Sequence, residues 1–155
     1  MAVANKVPDR LRDQLGIAIA KRTYKASSAL LGSQRWRRIY NFGARPQRLL
    51  WASTGTKDPK ASDILYVKAL AAPFTVNTMP EVTLQALSTH NEIGELLPTD
   101  GGDCEQVLSE FSKHGIDVDV LATQLQDEGA ASFVKSWNDL LAVISSRCAS
   151  LGPAA

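Results

Sequence analysis

The polar residues with the clearest chemical potential in this chain stand directly after a short apolar run. Segment 48–52, Arg-Leu-Leu-Trp-Ala, is followed by Ser53, Thr54, Gly55 and Lys57. Two hydroxyl groups, a glycine that lets backbone N–H groups come close and a cation together suit a phosphate group. The loop lacks a Walker pattern, so a nucleoside triphosphate is not indicated. Considered alone, the same residues also fit an ordinary turn between a strand and a helix.

Other reactive side chains offer less. His90 and His114 fall in polar, surface-like surroundings, and no nucleophile elbow or Ser/His/Asp arrangement is present. Cys104 and Cys148 lack a CxxC motif and a flanking histidine pair, so they predict reduced thiols rather than a metal or redox site. The residues by themselves therefore indicate no metal ion.

The composition is that of a globular protein. Of 155 residues, 45% are apolar and 21% are charged, which excludes collagen-like, mucin-like and wholly disordered classes. No apolar run approaches a membrane span, and residues 1–12 lack the apolar centre of a signal peptide. A cytoplasmic protein that binds no membrane is expected.

The net charge of +1 hides an asymmetry between the two halves of the chain. Residues 1–68 hold 14 of the 17 Lys and Arg residues but only 4 acidic residues, whereas residues 69–155 hold 3 basic and 12 acidic residues. Three interpretations are open: a nucleic-acid surface, attraction between the halves within one fold, or a basic region for a phosphorylated small molecule. Because only one tryptophan, Trp36, lies among the arginines, no stacking platform for nucleic acid is indicated.

The spacing of apolar residues predicts mostly helices. Two short strands are expected, over 48–52 and 74–79, the first buried on both faces. Residues 88–102 are expected to form a loop and residues 152–155 to fray. Helices are predicted over 9–31 (capped by Asp9), 34–42 (capped by Ser33, with Trp36, Ile39 and Tyr40 buried), 63–70, 80–87, 103–114, 118–127 and 131–148, with breaks at Gly115 and Gly129.

Two strands separated by a helix indicate a parallel α/β arrangement. Two parallel strands cannot close a barrel or form a covered sheet by themselves. The chain is therefore predicted to be part of an α/β fold.

Segments across most of the chain resemble transaldolases. Segment 47–54, Gln-Arg-Leu-Leu-Trp-Ala-Ser-Thr, resembles the penultimate barrel strand and following loop of that family. Segment 75–80, Thr-Val-Asn-Thr-Met-Pro, resembles the last barrel strand and its exit. Segments 124–129 and 132–140 resemble the C-terminal helices. The likeness is dense from Arg45 to Leu84 and weak before Gly32.

The resemblance implies a partial (α/β)8 barrel of the class I aldolase kind. Such enzymes move a dihydroxyacetone unit between phosphorylated sugars, sedoheptulose 7-phosphate and glyceraldehyde 3-phosphate, in the pentose phosphate pathway. They work through a lysine Schiff base, without a metal or organic cofactor. A complete barrel needs about 250 residues, so the chain is expected to supply a single C-terminal portion: helices over 1–43, strands seven and eight over 44–87, and C-terminal helices over 88–155.

The same resemblance implies which residues contact substrate. Ser53 matches the serine that binds the substrate phosphate, Lys57 matches the basic residue of the same loop, and Thr54 is expected to add a hydroxyl contact. The Schiff-base lysine and the acid–base carboxylates belong to earlier strands without a counterpart here, so no catalytic residue is assigned. Asp58 stands where an asparagine is usual, and an acid beside Lys57 would weaken the attraction of phosphate if it points inward.

Two functions from different classes follow. The first is the C-terminal portion of a transaldolase, inactive without the missing strands. The alternative is a non-catalytic helical interaction or phosphosugar-binding module. Unpaired strand edges at Leu49 and Val76 are expected to favour self-association. A nucleic-acid partner is not expected.

Overall fold

The computed structural model describes residue 3, residues 6–90 and residues 93–151. It divides into two compact units, Met1–His114 and Gly115–Ala155, and each is described by itself. The expected fraying of residues 152–155 lies outside the described residues, as do residues 91 and 92 of the predicted loop. Within the described residues, no helix is long and apolar enough to cross a membrane.

The first unit contains five helices and two strands among its described residues. A short 3-10 turn, Asp9–Leu11, precedes them. The elements are α1 (Gln14–Gly32), α2 (Gln34–Asn41), β1 (Leu49–Trp51), α3 (Leu65–Ala69), β2 (Thr75–Asn77), α4 (Glu81–Thr89) and α5 (Cys104–Lys113).

The predicted first helix begins later than expected. Asp13 adopts a left-handed backbone conformation, with φ of 59°, and separates the 3-10 turn from α1. Asp9 therefore does not cap α1, because a left-handed residue interrupts the helical hydrogen-bond pattern. The cap predicted for α2 is confirmed, since the Ser33 hydroxyl accepts a hydrogen bond from the Trp36 N–H at 3.2 Å.

The predicted burial of the α2 side chains is wrong. Ile39 is 42% exposed and Tyr40 is 58% exposed, and Trp36 is only half-buried. The main neighbour of α2 is α1, and a helix packed on one side leaves its remaining surface to solvent.

The two strands pair in parallel, with Leu49 opposite Thr75 and Trp51 opposite Asn77. Helices accompany these strands, as in part of an α/β barrel. The expected burial of β1 on both faces is wrong, because Leu50 is 53% exposed while Trp51 is buried. Successive side chains of a strand point to opposite faces, and only the face of Trp51 is covered. The core on that face consists of Ile17, Tyr24, Trp51, Leu70 and Leu97.

Helices α1 and α5 pack against each other, and charged pairs line their contact. The Lys21 ammonium lies 2.6 Å from the Asp103 carboxylate. Glu105 accepts from Arg22 at 2.7 Å, and the ammonium of Lys25 lies 3.6 Å away. These contacts join the basic and acidic parts of the chain within one unit, which supports the second interpretation of the charge asymmetry. Each exposed pair contributes only about 0 to 1 kcal/mol.

The second unit contains one long helix, α6 (Val118–Leu151). The Asp117 carboxylate accepts hydrogen bonds from the backbone N–H groups of Asp119 and Val120 and so caps its first turn. The predicted break at Gly129 is wrong, because α6 runs through it without interruption. A glycine inside a helix costs only about 1 kcal/mol relative to alanine, which the surrounding good helix formers tolerate.

The acid-dependent part of the first unit's stability is expected to involve Glu110. Hydrogen bonds from Lys113 and Arg10 lower the pKa of this carboxyl to about 2. The carboxylate therefore stabilises the folded state above its ordinary pKa of 4.5, and this contribution is lost as the pH falls toward 2. Glu110→Gln should lower the free energy of unfolding at neutral pH, and the difference from wild type should vanish near pH 2.

Urea unfolding followed by tryptophan fluorescence at several pH values measures this difference. Glu95→Gln removes an exposed carboxylate outside the α1–α5 contact and serves as the control. A Glu110→Gln effect that is constant from neutral pH to pH 2 would contradict the assignment.

Candidate functional site

The candidate site lies where the two parallel strands end. Because Trp51 is opposite Asn77, the carboxyl ends of β1 and β2 lie at the same edge of the sheet. The Thr78 N–H donates to the Trp51 carbonyl at 2.9 Å, which extends the pairing by one residue. In α/β folds, ligands bind beyond this edge. The loop 53–59 stands there, as the sequence predicts.

Ser53 and Lys57 are brought together in one cleft and are both exposed. The cleft has a volume of about 380 Å³. Ser53 has a φ of 58°, a left-handed conformation that costs a non-glycine residue roughly 1 to 2 kcal/mol. Such strain concentrates at binding sites, where the surrounding structure holds it in place. A hydroxyl and an ammonium group thus border the same cleft.

Thr54 also borders the cleft, but its side chain is buried, with 3% exposed. Its hydroxyl lies 2.7 Å from Oδ1 of Asn77 and 3.2 Å from the carbonyl oxygen of Thr78. The hydroxyl proton is therefore used within the protein. Asn77 is the last residue of β2, so its position beside the loop could have been predicted from the sequence. The sequence analysis did not identify it as a site residue.

Gly55 lies against the chain that leaves β2. A Cβ at this position would lie 3.1 Å from Cγ of Pro80 and 3.4 Å from Oγ1 of Thr83. The missing side chain allows the loop to pack on the start of α4. The glycine thus has a packing reason in addition to the expected approach of a ligand to its backbone.

Two carboxylates share the cleft with Lys57. Asp13 and Asp58 both line it, and the Asp58 carboxylate accepts a hydrogen bond from the Lys60 N–H at 2.8 Å. Asp13 reaches the cleft from the start of α1, in the left-handed conformation described above. The acids oppose the attraction that Lys57 would exert on an anion, so the cleft is a site of mixed charge.

The carboxylates also act on a neighbouring phenol. Tyr66, on α3, lines the same cleft and is half-buried. Burial raises the pKa of Tyr66 above 10, and the negative charges of Asp13 and Asp58 raise it further. The phenol therefore stays protonated and can donate a hydrogen bond. Sequence reasoning did not name Tyr66 or Asp13 as cleft residues, because only the fold brings α1 and α3 to the loop.

Among the residues that the structure describes, the other reactive side chains form no comparable centre. His90 pairs with Asp63 at 3.3 Å. Both cysteines are free, Cys104 buried and Cys148 exposed. Across residues 6–90 and 93–151, no group of three or more His, Cys, Asp or Glu side chains is arranged to hold a metal ion.

A second cavity lies at the opposite end of the strands. It has a volume of about 460 Å³ and is bordered by the first residues of both strands, Leu49 and Thr75. Aromatic side chains of Tyr24, Trp36 and Phe74 contribute to its wall. It contains none of the loop residues 53–59, so the chemistry predicted from the sequence belongs to the smaller cleft.

The fold and the cleft define a class: an α/β protein with an anion-suited loop at the carboxyl end of parallel strands. Comparison with known protein families shows which family within this class the chain belongs to. The family model described as Transaldolase/Fructose-6-phosphate aldolase matches residues 2–144, and the chain belongs to that family. The resemblance inferred from segments 47–54 and 75–80 is thereby confirmed.

Curated relatives agree with this family. The transaldolase of Parafrankia sp. (strain EAN1pec) is 42% identical over 137 residues, which cover 88% of this chain and 37% of the relative. The transaldolase of Mycolicibacterium smegmatis is 44% identical over 132 residues, with 84% and 36% covered. That of Thermobifida fusca is 41% identical over 140 residues, with 90% and 38% covered. The chain thus spans just over a third of the length of these relatives.

The coupling between Asp58 and Tyr66 is open to direct measurement. Asp58→Asn removes one of the two negative charges that raise the Tyr66 pKa, so it should lower that pKa toward 10. Ultraviolet difference absorbance of tyrosinate during a pH titration reports the change, and Tyr66→Phe identifies which of the 3 tyrosines moves. Asp100→Asn, a change outside the cleft, should leave the titration unaltered. An unchanged Tyr66 titration in Asp58→Asn would contradict the described cleft electrostatics.

Proposed function

We propose that this chain provides the substrate-phosphate site of a transaldolase. The observation that carries the proposal is the joint exposure of Ser53 and Lys57 in one cleft at the carboxyl end of β1. Family membership supplies the reaction class, and the position of the cleft agrees with where barrel enzymes bind substrate. The ligand is the phosphate end of a phosphorylated sugar.

In this proposal, Lys57 attracts the phosphate dianion and the Ser53 hydroxyl donates a hydrogen bond to one of its oxygens. Both groups act at a distance from the bond that is cleaved. They therefore contribute binding energy and orientation rather than proton transfer. Asp58 moderates the affinity, because its charge opposes that of the ligand.

The reaction proposed for the complete barrel is transfer of a dihydroxyacetone unit between sedoheptulose 7-phosphate and glyceraldehyde 3-phosphate. It requires a lysine that forms a Schiff base with the ketose, and carboxylates that move protons. Strands outside the present chain would supply these groups. The chain covers only 36% to 38% of the length of the three relatives quoted above. This partial coverage supports the proposal that other strands supply the catalytic groups.

Phosphate binding by Lys57 is tested with the full chain and inorganic phosphate at fixed ionic strength. A charge-assisted hydrogen bond contributes about 1.5 to 3 kcal/mol. Because Lys57 is exposed, the lower end applies, and Lys57→Ala should weaken binding roughly tenfold. Isothermal titration calorimetry gives the dissociation constant.

Lys60 provides a matched control for this experiment. It is an exposed lysine of the same loop region but does not border the cleft. Lys60→Ala should change the dissociation constant by less than about twofold, as expected for a screened surface charge. Equal weakening by the two substitutions would indicate nonspecific attraction and would overturn the assignment of Lys57.

The proposal that the Schiff-base lysine lies outside this chain predicts how the chain behaves with substrate. Incubation with fructose 6-phosphate and borohydride should leave its mass unchanged, because no lysine is placed to form an imine that borohydride can reduce. Intact-protein mass spectrometry measures this, with the full-length transaldolase of Mycolicibacterium smegmatis as the positive control. A stoichiometric sugar adduct on a lysine of this chain would show that it carries its own catalytic residue.

A further inference from the structure

The Thr54 hydroxyl joins the loop 53–59 to the end of the neighbouring strand, β2. Its oxygen lies 2.7 Å from Oδ1 of Asn77 and 3.2 Å from the carbonyl oxygen of Thr78. A hydroxyl has one proton to donate, and two acceptors at the end of β2 lie within its reach. With 3% of the side chain exposed, the hydroxyl is shielded from water, so these contacts are stronger than they would be at the surface.

This side-chain contact links the two chain segments beyond the backbone hydrogen bonds that pair β1 with β2. The last backbone bond between the two exits joins the Thr78 N–H to the Trp51 carbonyl. Three residues after Trp51, the Thr54 side chain returns to the same exit of β2. One residue later, Gly55 packs against Pro80. The loop is thus attached to β2 and the start of α4 at successive points.

Ser53 lies between two of these attachments. Trp51 is held by strand pairing on one side, and Thr54 is held by its side chain on the other. The left-handed conformation of Ser53 is unfavourable for a residue with a Cβ and persists only where neighbouring contacts impose it. If the Thr54 contact is removed, we expect Ser53 to relax to a more favourable conformation and its hydroxyl to move within the cleft.

We propose that Thr54 is a positioning residue: its hydroxyl donates a hydrogen bond to Oδ1 of Asn77, the nearer of its two acceptors, and so holds Ser53 and Lys57 in the geometry that binds a phosphate group. This replaces the expectation that Thr54 contacts the phosphate directly. The assignment rests on the proposed phosphate-binding function and adds the residue pair, Thr54 and Asn77, that shapes the site.

The test compares substitutions that keep or remove the hydroxyl. Thr54→Val preserves the shape of the side chain but removes its donor, whereas Thr54→Ser retains the donor. Interactions between coupled neighbours correspond to changes of about twofold to more than a hundredfold in a dissociation constant, and for a residue that acts only by positioning we expect a factor of about three to ten. Thr54→Val should weaken the binding of inorganic phosphate by that factor, and Thr54→Ser should restore most of the affinity. Equal affinity of the Thr54→Val variant and the wild-type chain would overturn the assignment.

A double-mutant cycle separates positioning from direct contact. If Thr54 acts through Asn77, then Asn77→Ala weakens phosphate binding, and the combined Thr54→Val and Asn77→Ala variant is no weaker than the weaker single variant. If Thr54 instead touches the phosphate itself, the two effects add. Additive effects therefore overturn the proposal.

Thr75→Val is the matched control for general loosening of the sheet. Its hydroxyl donates to the Ala72 carbonyl at 2.7 Å, at the opposite end of the same strand pair. This substitution should leave phosphate affinity unchanged, and far-ultraviolet circular dichroism should show that all variants are folded. Weakening by Thr75→Val equal to that by Thr54→Val would show that sheet stability alone is responsible.

Amide resonances in the free protein give a second, ligand-independent measurement. Thr54→Val should move the Ser53 and Lys57 resonances, and Thr75→Val should not. Unmoved resonances in Thr54→Val would overturn the positioning role alone, even if phosphate binds. Absence of phosphate binding by the wild-type chain would overturn the proposed function and this assignment with it.

Discussion

The parallel pairing of two three-residue strands is the constraint on which the candidate site depends. With Leu49 opposite Thr75 and Trp51 opposite Asn77, both strands run out at the same edge. The loop after β1 can then form side-chain contacts with the exit of β2. An antiparallel pair would place these two exits at opposite edges of the sheet. A shift of register by one residue would move Asn77 to the other face and separate it from Thr54.

The strand pair would be weak without the helices beside it. Trp51 and Leu70 pack into a core with Ile17 and Tyr24 of α1. Helix α1 in turn packs on α5, where Lys21, Arg22 and Lys25 face acidic residues. These exposed ion pairs are individually small contributions. They nevertheless show that basic residues from the first half of the chain pair with acidic residues from the second half within the first unit.

The charged side chains of the cleft have opposite effects on an anion. Lys57 attracts an anion, while Asp13 and Asp58 repel it and add to the effect of burial in raising the pKa of the Tyr66 phenol. A site of mixed charge binds a phosphate less tightly than a purely basic one. Because the charges oppose one another, the contacts that hold Ser53 in its strained conformation matter more for the proposed binding of an anion.

From the amino-acid pattern we could predict the family, most of the helices, both strands and the loop that carries Ser53 and Lys57. Apolar spacing, capping residues and local motifs specify these features within a few residues of chain. Other features are visible only in the fold: Thr54 contacts Asn77, Asp13 and Tyr66 line the cleft, and Leu50 and Tyr40 are exposed. The helix α6 also continues through Gly129. Contacts between residues far apart in the chain decide which hydroxyl is used internally and which face is covered, and a local pattern does not contain that information.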